Sequence, residues 1–347
     1  GGGIVDNNEG NPYKAFTYVF STGNQIDSFK LTGKVILAET GKYDSTLLAI
    51  LYRKTDDSAV QKIRPDYIAR LSGDGSFTFV NLPAGSFNVY ALKDGDGGKF
   101  YNSKKEMFAF ADAPVSIAAN NEPVILYASA LEKESTNTKT LKPAFAKRLT
   151  YTLVSGFQGQ DLLTPFVLSF NNPLKIFEPA KLILRDSNYK PVAAASWTID
   201  STRTKITLGA KWQEAMDYRI IIDTSAIIDS ANLHLSKADT IRFTTKQQSD
   251  YGNVVLRFSN LDLAKHPVLQ LVKNEIIEES YPLTATEWSS KFVTPGEYEI
   301  RILYDDNNNG KWDPGNYSKK LQPEKAITLK DKLAIKANWD NERDIKL

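Results

Sequence analysis

The residues best placed to do chemistry form a run of oxygen donors, YDDNNNGKWDPG at 304–315. Asp305, Asn307 and Asn309 stand at alternate positions, Gly310 permits a tight bend, and the Lys311 carbonyl and Asp313 follow. These are the first, third, fifth, seventh and ninth positions of a calcium loop, in which side-chain oxygens and one carbonyl converge on a hard cation. The pattern departs from a full EF-hand: its twelfth position is Asn316 instead of a bidentate Glu, and its flanks read as strands. With so few formal negative charges the expected Ca²⁺ affinity is that of extracellular modules, a Kd of about 10⁻⁴–10⁻³ M. The competing reading is an Asn/Gly-rich hairpin turn that bonds its own backbone. A second loop repeats the spacing with Asp94, Asp96, Gly98, the Phe100 carbonyl and Asn102, and Gly98 removes one side-chain ligand.

Other chemistry is sparse. The chain has no cysteine, which excludes disulfides, thiolate zinc sites and cysteine nucleophiles. Its two histidines, His234 and His266, are isolated in sequence from any nucleophile or metal partner. Ser155 and Ser169 lack the G-x-S-x-G turn of a hydrolase nucleophile, and no phosphate-binding glycine loop lies between a strand and a helix. Neither a catalytic residue nor an organic cofactor is expected. Trp312 and Tyr317, beside the Asp/Asn loop, are the candidates for a contact patch, whereas most of the other tryptophans fall in strand patterns where packing is their usual fate. The insert RKTDDSAVQKIRPD at 53–66 reads as a solvated loop that a partner could use.

The elements that must position these loops are strands. FKLTGKVIL, LLAILYR, SFTFVNL and SFNVYAL alternate apolar and polar residues and are broken by Gly, Pro, Asn or Asp. The same texture resumes in RLTYTLVS, PFVLSFN, YRIIID and TIRFTT, and again in VVLRFSNL, PVLQLVK and EYEIRILYD. GDGS at 73–76 predicts a hairpin turn and LPAG at 82–85 a second turn. No amphipathic helix of three turns is legible.

The text also repeats. Residues 227–246 match 4–23 without a gap at Ile227/Ile4, Asp229/Asp6, Lys237/Lys14, Ala238/Ala15, Thr240/Thr17, Phe243/Phe20 and Thr245/Thr22. Residues 296–313 match 85–102 at Gly296/Gly85, Leu303/Leu92 and Asp305/Asp94, with similar character at Tyr298/Phe87, Asn307/Asp96, Trp312/Tyr101 and Asp313/Asn102. The order is therefore A, B, A, B. The predicted fold class is all-β, in tandem antiparallel β-sandwiches. The predicted segments are 1–24, the last strands of an incomplete A module; 25–130, the first B sandwich; 131–146, a linker; 147–247, a whole A sandwich; 248–341, the second B sandwich; and 342–347, a tail. Strand text like that of 148–226 does not precede Ile4, so the missing strands are expected upstream or the chain is a fragment.

GDGSFTFVNLPAGSFNVYALKD resembles the carboxypeptidase regulatory-like, or transthyretin (prealbumin)-like, sandwich. FVLSFNNPL and DTIRFTT are similar to bacterial Ig-like domains, and the alternation of the two resembles the Ig-like-domain lipoproteins of Bacteroidota. The resemblance implies a sandwich fold of Ig-like modules alternating with transthyretin-like ones, no peptidase activity, and attachment to the outer membrane or cell surface through a lipid anchor upstream of this chain. A net charge of +2 with interspersed signs gives no nucleic-acid footprint, and no apolar run is long enough to span a membrane. The expected task is non-enzymatic: a structural or docking subunit that meets other outer-membrane or cell-surface proteins, in machinery for assembly, secretion or uptake. The alternative is a glycan-binding or adhesion module.

Overall fold

A computed structural model describes residues 5, 7–10, 27–53, 56–95, 97–118, 121–132, 148–154, 159–192 and 195–347. Most of the predicted segment 1–24 and of the linker 131–146 lies outside these residues. The described chain is all-β, with several antiparallel sheets. Contacts gather it into two units, one of Gly1–Ser135, Asp262–Thr284 and Glu299–Lys332, the other of Thr136–Leu261, Ala285–Tyr298 and Leu333–Leu347.

The first unit begins with β1 (Phe29–Leu37), β2 (Leu48–Tyr52), the single-turn α1 (Ala59–Lys62), β3 (Tyr67–Arg70), β4 (Ser76–Leu82), β5 (Gly85–Leu92), β6 (Phe108–Phe110), β7 (Val115–Ile117) and β8 (Val124–Ala128). One sheet has the order β4-β1-β8 and the other β3-β2-β5-β6, with β7 also on β5. Alternation decides which faces meet. Leu31, Val35, Phe77, Phe79 and Leu126 from one sheet and Leu51, Val89, Ala91 and Ala109 from the other form one buried cluster. Gly33 is needed for close packing on β1, because a Cβ there would lie 2.3 Å from Phe77 Cζ and 2.4 Å from the Val124 carbonyl oxygen.

Two sequence readings are corrected here. The 73–76 turn exists, with Gly75 at φ +77° and its N–H donating to the Ser72 carbonyl at 2.9 Å, but it does not make a hairpin. β3 pairs with β2 while β4 pairs with β1, so the chain changes sheets at this corner. A tight turn only reverses the chain; the sheet it joins is chosen by non-local burial, here of Phe77 and Phe79. The 53–66 insert is likewise not simply solvated. Its helix α1 buries Ala59 and Val60, and the Tyr52 hydroxyl donates to the Ile63 carbonyl at 2.9 Å.

The same unit contains most of a sheet in the order Ile276–Pro282, Pro267–Lys273, Gly296–Tyr304 (from Glu299 on), Lys325–Thr328. The register pairs Leu303 with Ala326, and the edge strand runs on to residues 38–40 of the first sandwich: Ala326 N–H donates to the Ala38 carbonyl at 2.8 Å.

In the second unit, Phe166, Leu168, Ile206 and Leu208 of a four-stranded sheet pack with Leu184, Ile220 and Phe243 of a three-stranded one, a second sandwich core. Phe166 stacks on Phe243 with ring centroids 4.8 Å apart. A further sheet places Gly252–Ser259 between antiparallel Glu287–Val293 and parallel Asp340–Lys346. Among the described residues no helix is long and apolar enough to cross a membrane, which says nothing of strands.

Candidate functional site: the Asp/Asn loop and its aromatic anchor

The loop after Gly296–Tyr304 is wound around Asp305, which is 1% exposed. Its carboxylate accepts from the Asn309 N–H at 3.1 Å and from the Gly310 N–H at 2.6 Å. Alternate residues then bond forward: Asn307 Oδ1 accepts from the Asn309 N–H at 3.1 Å, and Asn309 Oδ1 from the Lys311 N–H at 2.7 Å. The side-chain amides of Asn307 and Asn309 both donate to Asp313 Oδ2, the second at 2.6 Å. The spacing brings Asp305, Asn307, Asn309 and Asp313 around one loop, with Lys311 exposed on it. The hairpin reading is also visible, since the loop bonds its own backbone in the way an Asn-rich turn does.

Sequence reasoning missed Glu324. It stands two residues before the ladder partner of Leu303, is 5% exposed, and sends Oε2 back to accept the Asp313 N–H at 2.9 Å. Its Oε1 is buried without a hydrogen-bond partner. The Trp312 indole N–H donates to the Glu324 carbonyl at 2.8 Å, and the Glu324 N–H to the Asp313 carbonyl at 3.1 Å. Burial pushes the Glu324 carboxyl above its ordinary range, and the charges of Asp305 and Asp313 add to the effect against the backbone N–H groups of Asp313 and Asn307. The side chain therefore faces the loop. Among the described residues, no three His, Cys, Asp or Glu side chains are grouped closely enough to hold a metal by themselves.

The first copy is built alike. Asp94 Oδ1 accepts from the Lys99 N–H at 3.1 Å, five residues on, as Asp305 does from Gly310; Lys99 and Gly310 have φ of +59° and +77°. Glu106 precedes the ladder partner of Leu92 by two residues, and its Oε2 accepts the Asn102 N–H at 3.1 Å, the counterpart of Glu324 and Asp313. Glu106 Oε2 also accepts from the Ser103 N–H, and Asp96 lies outside the described residues. A recurrent Glu before the returning strand was the signal available in sequence.

The contact-patch prediction is corrected for Tyr317. This residue is 7% exposed and sits in a cluster with Tyr90, Tyr101, Phe108 and Phe110, with ring centroids 5.2 Å from each of the two phenylalanines. Its hydroxyl lies 2.9 Å from the Tyr90 hydroxyl and donates to the Asp57 carbonyl at 2.9 Å. β2, β5 and β6 present aromatic side chains on the face away from the sandwich core, and that apolar face is covered by Tyr317 and α1. Polar contacts surround the ring: Gly315 N–H to Ser129 Oγ at 3.0 Å, Gln322 to the Phe110 carbonyl at 3.0 Å and Lys320 to Asp57 at 2.6 Å. Trp312 is half-buried and lines two open grooves of about 350 and 450 Å³.

Neither a known family profile nor a curated protein sequence matches the chain. Among solved structures it is similar to native alpha-2-macroglobulin of Escherichia coli, at 15% identity and a TM-score of 0.27 over 53% of this chain and 72% of that one. The major pilin subunit BcpA of Bacillus cereus aligns at 10% identity and a TM-score of 0.20 over 91% of this chain and 99% of the pilin. The mixed-linkage glucan protein SGBP-B of Bacteroides ovatus, solved with a heptasaccharide, aligns at 10% identity and a TM-score of 0.19 over 95% of this chain and 70% of its own. Likeness at this level does not indicate what this chain binds.

Proposed function

We propose that this chain is a non-enzymatic structural and docking module of the cell surface or periplasm, carried by an anchor outside it, that holds loops at fixed positions for other outer-membrane or surface proteins. The observation that carries this reading is the Tyr317 anchor. A loop of the second B copy inserts a ring into an aromatic face of the first, and five polar contacts fasten the rim. Such a packed joint favours a stiff connection between these two segments over a hinged one. The aromatic and polar groups nearest the Asp/Asn loop are spent on rigidity.

A docking role is preferred to glycan binding because, among the described residues, each exposed aromatic ring already has a cation over one face. The exposed aromatics Tyr43, Tyr189 and Trp339 each lie under a cation, Lys34 at 4.4 Å, Arg219 at 4.4 Å and Lys336 at 4.8 Å. The test is affinity purification of the full-length protein from solubilised outer membranes, in parallel with glycan-array binding of this chain. A discrete membrane-protein complex with a blank array is expected. Glycan binding with no membrane partner would overturn the reading.

A further inference from the structure

We propose that the outer face of the sheet formed by Leu182–Asp186, Asp217–Ile222 and Asp239–Thr244 is a docking surface for an extended, acidic segment of a partner protein. The register sets Arg185 opposite Arg219 and Arg219 opposite Arg242, so three arginines stand side by side across three strands. The alternation that buries Leu184, Ile220, Ile241 and Phe243 turns this row away from the core. Neighbouring strands lie only about 4.8 Å apart, and like charges directly opposite one another destabilise a sheet. The other three-stranded sheet of this unit avoids the problem. There Arg257, on the central strand, stands opposite Glu287 on one side and Asp344 on the other, and forms ion pairs with Glu287 and Glu342. Around Arg219 both neighbours carry the charge of the centre.

The row is held in place without being neutralised. Arg185 Nη1 donates to the Tyr189 carbonyl at 2.5 Å, Arg219 Nη1 donates to the Ser187 carbonyl at 2.7 Å, and the Arg219 guanidinium lies 4.4 Å from the centroid of the Tyr189 ring. These neutral partners orient the guanidinium groups and leave their charge uncompensated. Arg219 Nε is buried with no hydrogen-bond partner, Arg242 is exposed, and among the described residues no ion pair reaches any of the three. The nearby acids are engaged elsewhere: Asp217 accepts from the Thr244 hydroxyl, and Asp186 from the Asn188 and Lys190 N–H groups of its turn. Carboxylates complement such a row, because each can take two parallel hydrogen bonds from a guanidinium. Two residues along the strands on the same face, Ile183 stands opposite Ile221, and Ile183 is 37% exposed. An extended segment lying along these strands has the same two-residue repeat, about 6.6–6.8 Å. It can therefore set an acid on the arginines and an apolar side chain on the isoleucines. An inorganic anion or a lipid headgroup has nothing to offer the second strip, which favours a protein partner.

The experiment is fluorescence-polarisation titration of the labelled peptide TETVTET, and of TQTVTQT as its uncharged control, with the whole chain at physiological ionic strength. Arg242→Gln removes one charge of the row at an exposed position, and Lys291→Gln removes a charge from a different sheet; circular dichroism verifies both folds. Saturable binding of TETVTET is expected, absent with TQTVTQT, weakened about tenfold or more by Arg242→Gln and unchanged by Lys291→Gln, as loss of a charge-assisted hydrogen bond requires. No saturable binding up to about 1 mM peptide, or equal weakening by both substitutions, would overturn the surface. Arginine-dependent binding to phosphatidylglycerol vesicles without peptide binding would overturn the choice of a protein partner. The inference rests on the docking role, yet the two fail separately: a membrane-protein complex recovered with a chain that binds no acidic peptide would remove this surface and leave that role standing.

Discussion

Replacing Tyr317 by Ala removes a ring that is 7% exposed and packed among Tyr90, Tyr101, Phe108 and Phe110. Truncating a buried aromatic residue to Ala costs about 3–5 kcal/mol, the sum of lost transfer free energy and the cavity left behind. Here the upper half of that range is expected, because the hydroxyl contacts to Tyr90 and Asp57 are lost with the ring. Tyr317→Phe separates the two contributions: the ring remains, and only about 1 kcal/mol for the hydroxyl should disappear. A double-mutant cycle with Tyr90→Phe should give a coupling energy of about 0.5–1.5 kcal/mol, since the hydroxyls meet at 2.9 Å. The assay is equilibrium urea denaturation, read as the loss of free energy in the transition of the unit containing Tyr317. A Tyr317→Ala cost within about 0.5 kcal/mol, as for an exposed site, would refute both the packed joint and the function proposed from it.

Four further outcomes are expected. Burial, with smaller contributions from Tyr90 and Asp66, pushes the Tyr52 hydroxyl up to about 12 from 10.0, so its share of stability is present below pH 10 and is lost as pH rises through 12. Absorbance titration compared with a Tyr52→Phe variant should therefore place the ionisation of Tyr52 near 12; ionisation of Tyr52 at its ordinary 10.0 with the fold intact would contradict this. Gly33→Ala should destabilise by about 1–3 kcal/mol, measured by urea denaturation, because its methyl would enter the space of Phe77 and Val124. Leu168→Ala, at a fully buried position of the second unit, should cost about 2–5 kcal/mol in the same assay. Arg257→Ala, whose ion pairs with Glu287 and Glu342 are exposed, should leave the urea midpoint nearly unchanged, with any difference smaller at high salt.

The sequence by itself determined what local rules can carry: alternation marked the strands, glycines and asparagines marked the turns, and alternate oxygens marked the 305–313 loop. Repetition predicted that the 94–102 loop would share a backbone shape with 305–313, and the Lys99 and Gly310 N–H groups donate to the equivalent Asp94 and Asp305. The tertiary structure decided which strands pair, since nothing in GDGS specifies whether β4 returns to β3 or crosses to β1. It also decided that Val60 and Tyr317 are core residues, and that Glu324 reaches the loop. Each of these depends on partners far away in sequence, and an aromatic ring or an isolated acid carries no periodicity to announce such a partner. The physical reason is that burial is a property of neighbours, and for these residues the neighbours exist only once the sheets have assembled.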